Sequence, residues 1–273
     1  MHSWFKRDKY YTMIPNRKPK LIKVKPAQAQ ESRIARSGPI VRPATRASQA
    51  VRIEQRPIAP IKREEAVKPP QVYSVPPKWK GETCYIIGGG PSLIGIDWNR
   101  LAGRKTIAIN KAFLSYPNAD MLYWTDSRFY SWHKSEIDTF GGEKYTLRWN
   151  QQHKGDIKLL SKGVRFGLET RRDTLAHGNN SGYAAINLAY HTGVKRIILL
   201  GYDMGNQGGK SHFHEGYPTR PTSDDVYEKQ FIPGFKILSD LLKQQGVEVW
   251  NACLSSRLTV FPKMSLERAL SFS

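Results

Sequence analysis

The stretch CYIIGGGPSL, Cys84 to Leu93, decides how this chain reads. Three apolar residues, Tyr85, Ile86 and Ile87, run into Gly88, Gly89 and Gly90, and Pro91, Ser92 and a helix-compatible segment follow. That order marks a strand, a tight turn and a helix start. Such a turn exposes backbone N–H groups beside the positive end of a helix, a suitable seat for phosphate. The other reading is a glycine turn needed only for tight strand–helix packing. On either reading the first βα unit begins near residue 83.

Upstream of this stretch the composition changes abruptly. Residues 1–80 carry 19 Lys+Arg against 5 Asp+Glu, a net +14, while residues 81–273 carry 24 against 18. The first 80 residues also hold 11 of the 17 prolines and one glycine, Gly38. Prolines at this density remove helix donors and favour extended chain. The apolar content is too low to offset chain entropy. Residues 1–80 therefore read as a disordered, basic, Pro-rich arm, and residues 81–273 as the globular domain. The charge suits nucleic acid or an acidic protein surface as partner; a solubilising tail is the plain alternative. Trp4, Phe5, Tyr10, Tyr11, Met13 and Ile14 offer a small anchor for docking into a larger assembly.

No apolar run approaches the roughly 18 residues that span a bilayer, so no membrane insertion is expected. The basic N-terminus has no following apolar stretch and does not read as a secretory signal. Cys84 and Cys253 each lie in or beside a predicted strand and imply no disulfide framework. A cytoplasmic setting, or a virion if the gene is a phage's, fits that cysteine usage.

Downstream, short apolar runs alternate with helical stretches. Strands are predicted at 83–88, 105–110, 120–125, 196–201 and 247–251. Helices are predicted at 92–102, 111–116, 127–139, 181–193 and 223–245, the last kinked at Pro233, with a final one from Ser265. Residues 141–172 read as mixed. The alternation implies an α/β, Rossmann-like, mainly parallel sheet with helices on both faces. Ligands of such sheets bind beyond the carboxyl ends of the strands. The residues of interest fall there: Gly88 to Ser92, Asn110, Asp126 and Asp203.

The glycine loop departs from the dinucleotide fingerprint, because Leu93 stands where a third glycine belongs. Asn110 replaces the acid that would hold a ribose. Both departures argue against NAD, although an asparagine still donates to and accepts from a ribose or base. A second constellation is HGNNSGYAAINLAYHTGVKRIILLGYDM, His177 to Met204. Asn180 and Ser181 supply an N-cap, and Gly182 lets backbone approach a ligand. Asn179, Asn180 and Ser181 are thereby expected to face the same cleft as the glycine loop. An ordinary capped helix is the alternative.

The loop GYDMGNQGGKSHFHEGYPTRP, Gly201 to Pro221, is long, glycine-rich and polar. Loops of this length at a strand's carboxyl end often carry function. His212, His214 or Asp203 is a candidate catalytic base for an acceptor hydroxyl, and Lys210 and Arg220 offer charge to a leaving phosphate. Asp203, His212 and His214 also admit a divalent metal, but nothing in their spacing fixes a metal geometry. An exposed polar loop with incidental histidines is the bland reading. Asp126 either meets a metal or an acceptor, or caps the next helix.

Taken together, IIGGGPSL, NSGYAAINLAYHTGVKRIILLGYDM and SSRLTVFPKMSLERAL resemble the 6-hydroxymethylpterin diphosphokinase-like family. More distantly the chain is similar to bacterial sialyltransferases that carry a Gly-Pro-Ser loop and a Ser-Gly helix start before a strand ending in Gly-x-Asp. The resemblance covers roughly residues 83–270 and implies a Rossmann-like domain that binds a nucleotide donor, either a nucleotide-sugar or ATP. It implies that Gly88, Gly89, Gly90 and Ser92 contact donor phosphates and that Asn110 contacts the ribose or base. Asn180, Ser181 and Gly182 would hold the nucleotide from the other side. In the sialyltransferase-like relatives a histidine after the Gly-x-Asp strand is the base, which points to the region of His212 and His214. Two functions follow as expectations: a nucleotide-dependent, glycosyltransferase-like transferase, or a non-enzymatic phage structural or DNA-associated component that docks through its arm.

Overall fold

The computed structural model describes residues 72–148, 156–206, 209–210, 212–214 and 222–272. The expected arm up to residue 71, and Arg220, lie outside the described residues. The described chain runs β1 (Thr83–Ile87), β2 (Lys105–Ile109), α1 (Ala112–Ser115), β3 (Met121–Trp124), α2 (Phe129–Trp132), α3 (Lys134–Thr139), β4 (Glu143–Leu147), β5 (Ile157–Lys162) and β6 (Thr174–Leu175). It continues through α4 (Ser181–His191), β7 (Arg196–Leu200), α5 (Asp224–Val226), α6 (Ile232–Gln244), β8 (Glu248–Asn251) and α7 (Leu266–Ser271).

The eight strands form one sheet in the order β6-β5-β4-β3-β2-β1-β7-β8, and every pairing is parallel. The strands are near-continuous apolar runs because both faces are covered. One face carries Cys84, Ile86, Ile107 and Tyr123 under α4 and α6, which contribute Tyr183, Ile186, Phe235 and Leu238. The other face carries Tyr85, Ile87, Ala108 and Leu122 against Phe113, Ile137 and Leu270 of α1, α3 and α7. The α/β, Rossmann-like reading is thus the observed architecture. The strand order reverses at β1, so the crevice between the carboxyl ends of β1 and β7 is the topological switch point.

Besides the helix expected at 127–139, which is two short helices, α2 and α3, on either side of His133, three elements differ from the sequence reading. The helix expected at 92–102 is two short 3₁₀ turns, Pro91–Leu93 and Trp98–Leu101. Gly95 at φ +80° and Gly103 at φ +75° break the run before an α-helix is established. The helix expected at 223–245 is not a single rod kinked at Pro233. It passes from α5 through a π-helical turn, Tyr227–Phe231, and Pro233 lies in the first turn of α6. A proline is tolerated there because the first helical N–H groups have no intrahelical partner.

The third difference is where the folded chain starts. Residues 72–80, counted with the arm on composition, pack on the sheet. Tyr73 N–H donates to the Leu159 carbonyl at 2.7 Å, Val75 N–H to Arg172 at 3.0 Å and Trp79 N–H to Thr192 at 2.9 Å. Val75 and Trp79 are buried, and Lys78 pairs with Glu143 at 2.6 Å. The prolines keep this segment extended while Tyr73, Val75 and Trp79 enter the core, which an average over charge and proline content hides.

Candidate functional site

The carboxyl rim of the sheet carries the backbone irregularities of the fold. Among the described residues, the non-glycine residues at positive φ are Asn110 (49°), Asn179 (57°) and Met204 (51°). They sit just beyond β2, β6 and β7. Such conformations persist only where the surroundings over-determine them, and asparagine tolerates them best.

At the switch point the glycine loop is closed by its own chain. Gly88 N–H donates to Leu200 O at 2.8 Å and Gly90 N–H to Gly201 O at 2.9 Å. The Asp203 carboxylate accepts from Ser92 N–H at 2.9 Å and from the Ser92 hydroxyl at 2.7 Å. A Cβ on Gly88 would come within 2.7 Å of the Gly201 oxygen, and one on Gly90 would overlap the Asp203 carboxylate. Asp203 is 3% exposed. Burial pushes its carboxyl up, and the Ser92 contacts offset part of that shift. The loop's helix-like turn is only three residues long, and the Gly88, Gly90 and Ser92 N–H groups are already bonded. Of the amides in this loop, Gly89 keeps its N–H outside these bonds.

Gly89 instead meets the histidines. Phe213 N–H donates to Gly89 O at 2.9 Å. A Cβ on Gly89 would stand 2.8 Å from the His212 ring and 3.4 Å from His214 Nε2. The two imidazoles stack with centroids 5.1 Å apart and 23° between planes. Burial, then Lys111, lowers His212. Burial, then His212 and Lys111, pushes His214 down to about 4. Both rings are therefore neutral at pH 7, the state a general base requires.

Next along the rim, the Ser181 hydroxyl donates to Asn110 Oδ1 at 3.3 Å. This bond links the end of β2 to the start of α4 across the cleft. Asn180 is the N-cap, its side chain accepting from Tyr183 N–H at 2.7 Å. Gly182 is small because Tyr202 packs on it: a Cβ there would lie 3.0 Å from the ring, and the Tyr202 hydroxyl donates to Gly182 O at 3.0 Å. α4 is eleven residues long, so the positive helix end expected at Gly88–Ser92 is supplied here by the first turn of α4.

Beyond Ser181 a cavity of about 370 Å³ opens, lined by Thr125, Asp126, Ser127, Lys162, His177, Asn179, Asn180 and Ser181. Burial, then Lys162 and Arg165, lowers His177. Asp126 accepts from the Arg128 backbone at 2.9 Å and from its guanidinium at 3.0 and 2.7 Å. These bonds hold its carboxyl below the usual range; they tie Asp126 to Arg128, the N-cap residue of α2, rather than capping that helix with the Asp126 side chain.

The structure thus brings Gly89, Asn110, Ser181, His212 and His214 to one rim, with Asp203 beneath. Lys210 is exposed in the same loop. The sequence reading passed over Lys111, His133, Lys162 and His177. Lys111 was within reach, since it follows Asn110 directly at the end of β2. Among the described residues no group of three or more His, Cys, Asp or Glu side chains is placed to hold a metal ion, and no helix is long and apolar enough to cross a membrane.

No family model matches the chain, and no curated protein matches it, so the diphosphokinase-like resemblance gains nothing from either comparison. Among solved structures the chain is similar to a point mutant of the alpha-2,3/8-sialyltransferase CstII. The TM-score is 0.40 and the identity 16%, over 67% of this chain and 87% of that chain. That neighbour is a distant one.

Proposed function

We propose that the protein is a nucleotide-dependent transferase of glycosyltransferase type, with its donor held on the rim between Gly89, Asn110 and the first turn of α4. The observation that carries this reading is the neutral His212–His214 stack over Gly89, at the switch point of a parallel sheet and on the rim that the Asn110–Ser181 bond bridges. Asn110 recognises ribose or base, and the Ser181 and Gly182 amides face the donor's phosphates. His212 removes the acceptor hydroxyl proton as the bond from the donor's sugar carbon to its phosphate oxygen breaks. Gly88, Gly90, Ser92 and Asp203 act as scaffold: their contacts hold the loop that carries Gly89. ATP in place of a nucleotide-sugar would make the same cleft a diphosphokinase site.

Calorimetric titration of the full chain with CMP, UDP, ADP and ATP tests the reading. Binding of one of them, weakened tenfold or more by Asn110→Ala, is the expected result. No binding of any at millimolar ligand ends it. A second reading, a non-enzymatic phage or DNA-associated component, is favoured by the net +14 of residues 1–80. It predicts nucleic-acid affinity that falls steeply with salt and is lost when those charges are neutralised.

A further inference from the structure

The cavity beyond Ser181 is lined by donors, and the turn before α4 sets one of them in place. His177 is 8% exposed, and its ring forms part of the cavity wall. Its backbone is held on both sides. His177 N–H donates to the Val164 carbonyl at 3.1 Å, and the His177 carbonyl accepts from Asn180 N–H at 3.0 Å. The N–H of Asn179, a left-handed residue at φ 57°, donates to His177 Nδ1 at 3.1 Å. Nδ1 offers its lone pair there, so the ring's proton sits on Nε2. Nε2 itself has no hydrogen-bond partner among the described residues. A buried N–H fixed in one tautomer at the wall of a cavity calls for an explanation.

The rest of the lining has the same sign. The first N–H groups of a helix lack an intrahelical partner. In α4 that of Tyr183 goes to the Asn180 side chain at 2.7 Å. Those of Ser181 and Gly182 remain for a ligand at the positive end of this eleven-residue helix. Lys162 adds an ammonium to the lining, and Thr125 and Ser127 add hydroxyls. Asp126 is the one carboxylate there, and it accepts three bonds from Arg128 at 2.9, 3.0 and 2.7 Å. A cation is disfavoured among such groups, whereas an oxyanion accepts from all of them. The volume of about 370 Å³ lies within the roughly 300–1,000 Å³ of small-molecule sites. An ester of the oxyanion therefore has room as well as the bare ion.

We propose that this cavity is an oxyanion site, in which His177 Nε2–H and the Ser181 and Gly182 amides bind one phosphate group and Lys162 offsets its charge. The proposal rests on the transferase reading only for what carries that phosphate, the nucleotide. It adds His177 to the residues that hold the ligand. Ligands without a phosphate, the uncharged nucleosides among them, are then poor ones.

The test is carried out on the full chain with inorganic phosphate, and separately with CMP, UDP, ADP and ATP. The amide NMR resonances of Ser181 and Gly182 report binding in the cavity rather than on the basic residues 1–71, in wild type and variants alike. The expected result is a saturable shift of both amides with phosphate. Affinity falls about tenfold in His177→Asn, whose side-chain oxygen still accepts from Asn179 N–H while nothing replaces Nε2–H. His177→Gln, whose amide reaches the place of Nε2, recovers most of the loss. Should His177→Asn fail to fold, the ring-proton resonance of His177 in wild type decides: it moves with phosphate, or the site is overturned. Amides that phosphate leaves unmoved, or equal affinity in wild type and His177→Asn, also overturn it. Equal losses in the Asn and Gln variants do so too, since they would make the ring a packing element. Nucleotide that moves the Ser181 and Gly182 amides equally in wild type and His177→Asn overturns the site and leaves the transferase reading standing. Phosphate binding that depends on His177, with no nucleotide bound more tightly than phosphate, supports the site and removes the transferase reading.

Discussion

The two halves of the carboxyl rim use their polar groups in opposite ways. At β1 and β7 the glycine loop satisfies itself: Gly88 and Gly90 bond to the backbone of β7 and the turn after it, and Ser92 bonds twice to Asp203. At β3, β5 and β6 the hydroxyls, amides and Lys162 line an open cavity of about 370 Å³. The half that looks most like a phosphate cradle in sequence is closed by a carboxylate from its own chain. The half marked in sequence by the Asn-Ser-Gly helix start is open. A glycine-rich turn after a strand is thus a statement about close backbone approach first, and about ligand only where its N–H groups remain available.

The sharpest way to break this contrast is to add one methyl group to the closed half. Gly90→Ala forces a Cβ into the Asp203 carboxylate and within 2.6 Å of Gly201 O. The cost is expected to be about 3 kcal/mol in urea unfolding. Gly141→Ala, where nothing lies within 4 Å of the added atom, is expected to stay within about 0.5 kcal/mol. A tolerated Gly90→Ala would mean that the loop is not held shut.

Removing the carboxylate is the next test. Asp203→Ala leaves the Ser92 N–H and hydroxyl unbonded in a half-buried place and should cost about 1–3 kcal/mol. Asp203→Asn keeps an acceptor for the Ser92 amide and also removes a buried charge, so it should recover most of that loss. Equal losses in the two variants would mean that Asp203 acts through its charge and not through the Ser92 bonds.

A smaller effect separates the histidines from the rest of the rim. His214 is pushed down to about 4 in the folded chain against an ordinary value of 6.5. As pH falls, the unfolded chain takes up this proton first. The contribution to stability is complete above pH 6.5 and is lost progressively between pH 6.5 and about 4. Urea midpoints measured at pH 7, 5.5 and 4.5 should fall less steeply in His214→Gln than in wild type. Parallel curves would remove His214 from the buried, neutral state described above.

The smallest effect belongs to the open half. Ser127→Ala should leave stability within about 0.5 kcal/mol, because this residue lines the cavity without supporting the fold. A loss above 1 kcal/mol would place it with the scaffold instead.

Much of the fold was legible in the chain. The runs TCYII, KTIAI and RIILL each became a parallel strand within a residue or two of the reading, because apolar β-branched runs between turns leave few alternatives. Ser181 and Ser265 became the first residue of α4 and the N-cap of α7. The 3₁₀ turns after the glycine loop were less legible, since Gly95 and Gly103 decide them through backbone freedom rather than periodicity. Residues 72–80 escaped because burial of Val75 and Trp79 depends on distant β5 and α4, not on neighbours in sequence. Of the residues that the fold gathers on the rim, Gly89, Asn110, Ser181, His212 and His214 could be singled out from the chain. Lys111 was within reach as the neighbour of Asn110, but His133 was not, since a single His between two short helices carries no spacing that sets it apart from a surface residue.

By itself the sequence determined a parallel α/β sheet with a strand–glycine turn at its centre, and a basic, Pro-rich segment before it. Those properties follow from local pattern: apolar period, cap residues, glycine, proline and charge. Only the tertiary structure decided which polar groups are available. Asp203 lies 111 residues from Ser92 in sequence, and His214 lies 125 residues from Gly89. Whether an amide meets a ligand or a carboxylate of its own chain is fixed by the parallel pairing of β1 with β7, which sets the two loops side by side.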